Sequence, residues 1–321
     1  MASDLFKPAI PQERLHPQFK DLLGSPPHAS ARDLANALYT RMGDPNGNFV
    51  RDFQGHGFHA RLFEIACFAY LEGAGFRIDR THPFPDFMAI DARGQTIATE
   101  AVTANPPDGV DPDVSVARMP ALSNEEIHEK ASTEFPDRLL ASLRKKLRRR
   151  YSIHAHVAGK PLLLMIAPFY EPGSSFYTED SLLPALFPLE PNPPVTPLFA
   201  RPEAAEISGV AYCNQFSVSK FWRMADPRFI SENFDAIRSG EGFFEGKETL
   251  HRFRYRVGDA ATPAESWHEG VTLILNPRAQ SPLPDPLPPA SCTIICTDSR
   301  LERRIKGFHP LASTMIVHQR A

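Results

Sequence analysis

The stretch FHARLFEIACFAYL, residues 58–71, is the part of the chain that decides the expected fold. Its apolar residues recur at helical spacing, and glycines follow at positions 73 and 75, so we expect a helix over 58–72. Glu64 lies within this apolar stretch. Because acidic side chains are rarely buried without a partner, this glutamate is a candidate for a specific role.

Two stretches that follow the helix are expected to be strands, and each carries one acid. The sequence PDF at 85–87 places Asp86 at the start of the first, and IATEAVT at 97–103 places Glu100 in the middle of the second. Apolar and β-branched residues on both sides of a turn at Gly94 predict neighbouring strands. Two such strands can direct both carboxylates at one point, and carboxylate oxygens are ligands that suit Mg²⁺.

A basic helix is predicted over residues 136–151, and it carries the run RKKLRRR. Lys146 lies three residues after Leu143, so it shares the apolar, inward side of this helix. An ammonium group on a buried side needs a negative partner or a site. Basic side chains on the outer side suit contact with a phosphate backbone. The outward-pointing candidates for such contact are Lys145, Arg148 and Arg149.

One histidine at the start of the 58–72 helix is a weaker candidate for phosphate contact. His59 is close in sequence to Glu64 and could approach the same site. The alternative is a capping or packing role in the core, since a lone histidine near an apolar segment does not define a ligand site.

Composition and charge restrict the class of protein. The chain has 321 residues, is 42% hydrophobic and 23% charged, and has a formal net charge of −3. This charge excludes a globally basic nucleic-acid coat but leaves room for a local basic patch. The sequence has no apolar run near the ~20 residues of a membrane helix and no export signal at its start, so we expect a cytoplasmic protein without a membrane partner.

The four cysteines do not predict a disulfide framework. Cys67 and Cys213 lie in apolar runs, and Cys292 and Cys296 flank Thr-Ile-Ile. In a strand, residues four apart are separated by about 13 Å, which is too far for a bridge or a shared zinc ion. We therefore expect buried thiols.

The chain divides into three parts by composition. Residues 1–50 are loop-rich with helical content, 51–220 form the expected core, and 221–321 form an α/β extension that either stands apart or joins the core. Within the core, LLLMIAP at 162–168 reads as a central strand buried on both faces. The proline-rich residues 184–202 predict an excursion over the surface.

The order of these elements resembles that of the PD-(D/E)XK nuclease superfamily over roughly residues 55–170. A helix with glutamate, a Pro-Asp-Phe strand, a turn and a strand with glutamate are followed by a helix and an apolar strand. The resemblance implies an α/β protein with a restriction-endonuclease-like mixed sheet flanked by helices, with N- and C-terminal additions. It also implies that Asp86 and Glu100 bind Mg²⁺ or Mn²⁺ and that Glu64 completes a catalytic site.

The sequence departs from the family at the lysine of the D/E-X-K element. The residue two positions after Glu100 is Val102, which can neither orient a water molecule nor neutralise developing charge. Some members supply the lysine from the following helix, so we predict that Lys146 is a relocated catalytic lysine. Lys145 and Lys130 are weaker candidates for this role.

The resemblance implies metal-dependent hydrolysis of phosphodiester bonds in nucleic acid, with DNA as the expected partner, in defence or repair. Whether the chain acts as a monomer or a homodimer stays open. The alternative is a catalytically degenerate nuclease-like fold that binds nucleic acid or protein, which Val102 favours. A third alternative, a hydrolase of another class in the C-terminal half, lacks the usual nucleophile, zinc and phosphate-loop motifs.

Overall fold

A computed structural model of the chain describes residues 4–110, 112–189, 195–259, 262, 264–298 and 300–320. Within these residues, none of the helices has the length and apolar character needed to cross a membrane.

The helices follow the apolar periodicity of the sequence. The helix predicted over 58–72 is confirmed as α4, and the one predicted over 136–151 is confirmed as α6 with shifted ends. Arg150 has a left-handed backbone conformation with φ 51°, which a right-handed helix cannot continue. In the described residues the α-helices are α1 (Pro17–Gly24), α2 (Ala29–Met42), α3 (Phe49–Gln54), α4 (Phe58–Gly73), α5 (Asn124–Ser132), α6 (Glu134–Leu147), α7 (Leu183–Leu186), α8 (Val218–Met224) and α9 (Pro227–Asn233).

The strands include those expected at the two acids and at the apolar run 162–168. They form where β-branched and apolar residues alternate or run together between turns. In the described residues the strands are β1 (Arg77–Asp79), β2 (Phe87–Ile90), β3 (Thr96–Ala104), β4 (Leu162–Pro168), β5 (Gly209–Tyr212), β6 (Phe234–Phe244), β7 (His251–Arg256), β8 (Thr272–Leu275), β9 (Cys292–Thr297), β10 (Arg300–Ile305) and β11 (Phe308–Gln319).

Eight of these strands form one mixed sheet in the order β1-β2-β3-β4-β5-β8-β9-β10. β3, β4 and β5 are parallel neighbours, as are β8 and β9, whereas the other neighbours are antiparallel. The sheet has helices on both faces, so the expected mixed α/β class is confirmed. Strands β8 to β10 come from the segment after residue 221 and continue the same sheet.

Strand β4 separates two apolar cores. All seven of its residues are buried, as the continuous apolar run predicts. Leu163 and Met165 belong to the core that contains the apolar face of α4, and Leu164 and Ile166 belong to the core that contains the apolar face of α6. The helices that carry Glu64 and Lys146 therefore lie on opposite faces of the sheet.

A second sheet of three antiparallel strands has the order β11-β6-β7. No clear prediction was possible for residues 222–254, which contribute β6 and most of β7, because charged and apolar residues are mixed there. Gly240 and Gly242 of β6 lie against β11 so closely that a Cβ atom would come within 2.2 Å and 2.6 Å of its backbone oxygens. These two glycines therefore permit the pairing of the longest strands of this sheet.

The prediction that residues 184–202 form a surface excursion is wrong for four of their apolar side chains, although Leu189 and Val195 are exposed. Leu186 and Phe187 precede the undescribed residues 190–194, and Leu198 and Phe199 follow them; all four side chains are buried. They pack in the core that contains α6, because the prolines turn the chain without removing its apolar side chains from the interior.

Candidate active site

Glu100 and Lys146 form the centre of the candidate site. Alternation along β3 places Glu100 on the face that α6 covers, and the side chain is 1% exposed. The Lys146 ammonium donates to Glu100 Oε1 at 2.5 Å, and the Arg149 guanidinium donates to the same oxygen at 3.0 Å. The amine that the sequence placed on the inward side of α6 therefore meets the predicted acid.

Asp86 lies next to Glu100 at the start of β2. Its backbone N–H donates to Glu100 Oε2 at 3.2 Å, and its own Oδ2 accepts a hydrogen bond from the N–H of Ala101 at 2.8 Å. Burial, with the negative charges of Glu100 and Glu64, raises the pKa of Asp86 to about 7, although Lys146 acts in the opposite direction. The Asp86 carboxyl therefore holds its proton more strongly than an ordinary aspartic acid, first because of desolvation and second because of its acidic neighbours.

Glu64 contributes charge from the other face of the sheet but is held by its own partners. Arg61 donates to one of its oxygens at 2.8 Å, and Arg80 contacts the other. Among the described residues, Glu64, Asp86 and Glu100 do not provide three donor oxygens all within 4.8 Å of one another. The structure thus joins Asp86 and Glu100 by a direct hydrogen bond, whereas Glu64 forms its ion pairs with Arg61 and Arg80.

Arg80 connects the two sides of the site, and the sequence analysis did not identify it. Its guanidinium contacts Glu64, donates to the carbonyl of Gly43 at 2.9 Å and donates to the carbonyl of Asp86 at 3.3 Å. No motif marks this arginine. The three-residue spacing of Arg61 and Glu64 on a helix, by contrast, is a signal that could have predicted their ion pair.

Tyr151, which follows the basic run, is a further residue that the sequence analysis missed. Burial and the negative charge of Glu100 raise the pKa of this phenol above its ordinary value. The hydroxyl stays protonated at neutral pH, so Tyr151 adds a neutral polar group beside Glu100 rather than another charge.

Val102 occupies the position at which the PD-(D/E)XK pattern would have a lysine. Val102 shares a face of β3 with Glu100, is 1% exposed and belongs to the core that contains α6. A lysine there would have to place its amine in this apolar layer. Lys146 approaches Glu100 from the helix that covers the same face, with its side chain 21% exposed.

The remaining predicted residues lie in three different environments. Lys145 and Arg148 are exposed on α6, where they are open to a partner. Lys130 pairs with Glu134 at 2.9 Å and with Glu171 at 2.7 Å, so its amine is engaged there. The third environment is the protein interior, where His59 is buried.

His59 lies in the core. Its ring stacks on Phe169 with centroids 5.0 Å apart, and its Nε2 is 3.2 Å from the carbonyl oxygen of Pro112. Burial lowers the pKa of His59 to about 3, so the ring is neutral at physiological pH. These contacts agree with the packing alternative and leave the ring without exposure to a phosphate backbone.

The donor set at Asp86 and Glu100 fits a divalent cation that prefers oxygen ligands. Within the described part of the chain, Asp86 Oδ1 receives no hydrogen bond, while Oδ2 is fixed by Ala101. Glu100 Oε2 accepts from the backbone of Asp86, which orients the two carboxylates together. A cation there would relieve the repulsion that raises the pKa of Asp86.

The geometry of this cluster is consequently the main guide to function. It combines the buried carboxylate of Glu100, the half-buried carboxylate of Asp86, and the amine and basic surface of α6, which come from three separate segments of the chain. Comparison with family models, with curated proteins and with solved structures found no match to this chain.

Proposed function

We propose that this protein is a metal-dependent nuclease with a restriction-endonuclease-like core, in which Asp86 and Glu100 hold Mg²⁺ or Mn²⁺. The proposed substrate is DNA. The observation that carries the proposal is the 2.5 Å contact between Lys146 Nζ and Glu100 Oε1. In this contact, a lysine of α6 provides the amine that the D/E-X-K pattern would place at position 102, where this chain has valine.

The chain's own residues have distinct roles in this proposal. Asp86 Oδ1 and Glu100 would ligate the cation, and the hydrogen bond from Ala101 fixes the Asp86 carboxylate for that purpose. When bound, the cation would neutralise negative charge on the phosphate and lower the pKa of a water molecule. Lys146 is positioned to donate to a phosphate oxygen, where a compact charge stabilises negative charge that develops in the transition state.

The outer surface of α6 suits the nucleic-acid backbone. Lys145 and Arg148 are exposed, and Arg149 reaches Glu100 while half of its side chain remains exposed. A bound phosphate could therefore interact with Arg149 without leaving the vicinity of the two acids. Contacts of this kind position the backbone and carry no sequence preference.

The experiment is cleavage of supercoiled plasmid, single-stranded DNA and RNA by the purified protein in Mg²⁺ or Mn²⁺. Lys146→Met should reduce the rate on the order of 10²–10³-fold, the usual loss when one preorganised charge-stabilising donor is removed. Asp86→Asn and Glu100→Gln should remove detectable cleavage. Lys145→Met, one residue earlier and exposed, is the matched control; at saturating DNA it should lose far less cleavage than Lys146→Met, because it removes at most one backbone contact outside the cluster.

Two outcomes would contradict the proposal. Cleavage that persists in both Asp86→Asn and Glu100→Gln would show that these acids are not part of the mechanism. Equal losses in Lys146→Met and Lys145→Met would show that the position of the amine against Glu100 has no special importance. Circular dichroism of each variant separates loss of activity from loss of folding.

A second candidate function is a nuclease-like fold that binds nucleic acid without cleaving it. The observation that favours it is the set of internal ion pairs: Arg61 and Arg80 hold Glu64, and Lys146 and Arg149 hold Glu100. Binding of labelled DNA with normal salt dependence, but no cleavage of any nucleic acid with either metal, would identify this function.

A further inference from the structure

A second group of potential metal ligands lies outside the candidate active site. Glu179, Cys292 and His309 each place one donor atom within 4.8 Å of the donor atoms of the other two. Among the described residues, this is the group of three or more potential metal ligands that meets this distance criterion. All three are at most 2% exposed. A buried carboxylate, thiol and imidazole that converge from separate elements need a physical explanation.

The three residues come from three different parts of the fold. Glu179 is in a short 3-10 turn (Glu179–Ser181), Cys292 begins β9 of the eight-stranded sheet, and His309 is the second residue of β11 in the three-stranded sheet. In this way the group lies where the two sheets meet. They are distant in sequence, so spacing alone could not have identified them.

The imidazole of His309 is oriented by its neighbours. Its Nδ1 is 2.8 Å from Ser291 Oγ, and that hydroxyl in turn lies 3.5 Å from the carbonyl oxygen of Val271. With the proton on Nδ1, the ring donates to Ser291, and its unprotonated Nε2 lies 3.3 Å from Thr272 Oγ1 and 3.6 Å from Glu179 Oε1. A metal ion there would replace the Thr272 hydroxyl as the partner of Nε2. Metal-binding histidines are commonly held in this way by a partner on the other ring nitrogen.

Glu179 has a carboxylate oxygen without a satisfactory partner. Oε1 is buried and accepts no hydrogen bond, although it should attract a cation or a donor. The nearest charged nitrogen outside the group is Arg303 Nη2 at 3.4 Å, and the same guanidinium also contacts Asp180. Arg303 can therefore remain on Asp180 while Glu179 Oε1 binds another cation.

We propose that Glu179, Cys292 and His309 bind a Zn²⁺ ion that joins the two sheets. Four-coordinate zinc at ordinary bond lengths separates its ligand atoms by about 3.5 Å. The distance between Glu179 Oε1 and His309 Nε2 is 3.6 Å, which fits this geometry. As the zinc–sulfur bond forms, the Cys292 thiol releases its proton to solvent, and water completes the fourth position.

The donor set distinguishes this site from the one at Asp86 and Glu100. Thiolate and imidazole ligands select zinc and similar transition ions, whereas paired carboxylates suit Mg²⁺ or Mn²⁺. The two sites should consequently respond to different metals. This inference does not depend on nuclease activity.

The test uses the full chain, stripped of metal by a chelator and then titrated with Co²⁺ as a spectroscopic probe. The wild type should develop a thiolate-to-cobalt charge-transfer band that saturates at one equivalent. One equivalent of Zn²⁺ should abolish the band, whereas an excess of Mg²⁺ should leave it unchanged. Metal analysis of the protein reconstituted with Zn²⁺ should find one tightly bound ion.

The matched variants are Cys292→Ser and Cys296→Ser, which change two cysteines of the same strand. Cys292→Ser should lose the band and Cys296→Ser should keep it. Should Cys292→Ser fail to fold, His309→Asn tests the site through a weakened affinity and an altered band. A wild type with no thiolate band and no bound zinc, or a band that survives Cys292→Ser, would overturn the proposal.

Discussion

Two buried charged clusters in this protein have opposite electrostatic character. In the first, Asp86 has a pKa raised to about 7 by burial and by neighbouring acids. In the second, Glu265 is also buried, but three cations surround it. Burial alone would raise the pKa of Glu265, yet the charges of Arg223, Lys220 and Arg238 hold it well below its ordinary value.

The two clusters differ in whether the chain supplies enough positive charge to compensate the buried acid. Glu265 receives Lys220 at 2.6 Å and Arg223 at 2.7 Å, and Arg238 lies 3.4 Å away. These residues link α8 and β6 to the segment before β8, and their charges are satisfied within the chain. Asp86 has no salt-bridge partner among the described residues, and an acid whose pKa is raised in this way is found at binding sites more often than in structural ion networks.

The largest effect on stability is expected from neutralising Glu265, the acid at the centre of the second cluster. Glu265→Gln leaves Lys220 and Arg223 buried without their counter-charge, so the free energy of unfolding should fall by roughly 3–5 kcal/mol. Urea denaturation measures this loss. A change below about 1 kcal/mol would show that the cations of this cluster are solvated, and the contrast with Asp86 would no longer hold.

The next effect is a gain of stability when the unsatisfied acid is neutralised. The ordinary pKa of 3.8 rises to about 7 in the folded state, so folded Asp86 retains a proton that the unfolded chain has lost between these values. Stability from this group is therefore greatest at low pH and decreases as the pH rises from about 4 to 7.

Asp86→Asn should remove this decrease and stabilise the protein above pH 7 by up to about 4 kcal/mol, since each pKa unit corresponds to about 1.4 kcal/mol. Denaturation at pH 5, 6, 7 and 8 in the absence of divalent metal measures the difference between variant and wild type. A difference that does not grow with pH would contradict the raised pKa. The variant should gain stability while it loses cleavage.

A related effect concerns metal binding. Because the proposed cation would bind the ionised form of Asp86, stabilisation of the wild type by Mg²⁺ should appear as the pH rises through about 7 and be lost below it. At a concentration 100 times the dissociation constant, the gain is about 2.7 kcal/mol. Thermal unfolding with and without Mg²⁺ measures it, and Asp86→Asn is the control that should not respond.

The smallest effect is expected on the outer surface of α6. Arg148→Ala should weaken binding of DNA of any sequence and reduce the slope of log affinity against log salt by about one, as expected for one lost phosphate contact. Lys247→Ala, an exposed lysine on the turn between β6 and β7, is the control. Equal slopes for both variants would show that α6 does not face the nucleic acid.

Local patterns in the sequence were sufficient to predict the elements that carry the candidate site. Helical spacing predicted α4 and α6, and turn residues predicted β2 and β3. The inward orientation of Lys146 followed from its spacing to Leu143. These signals are available because each depends on neighbours within about one helical turn or one strand.

Long-range placement was not predictable in the same way. Arg80 lies in the loop between β1 and β2 and contacts Glu64 of α4. Nothing in the residues next to Arg80 indicates that contact. The three-stranded sheet pairs β6 with β11, which lie far apart in the chain. The prediction of a surface excursion at 184–202 failed for a related reason, since proline content predicts turns but does not predict whether neighbouring side chains such as Leu186 and Phe199 are buried.

Helical and strand periodicity already assigns the acidic, basic and apolar residues to the faces of each local element, because side-chain direction follows from that periodicity. Which charges meet depends instead on how the elements pack together. The close approach of Lys146 to Glu100, the separation of Glu64 from that pair, and the convergence of Glu179, Cys292 and His309 all depend on how sheets and helices stack. Stacking is set by the burial of whole apolar faces, so the position of any one polar group is a consequence of the entire core.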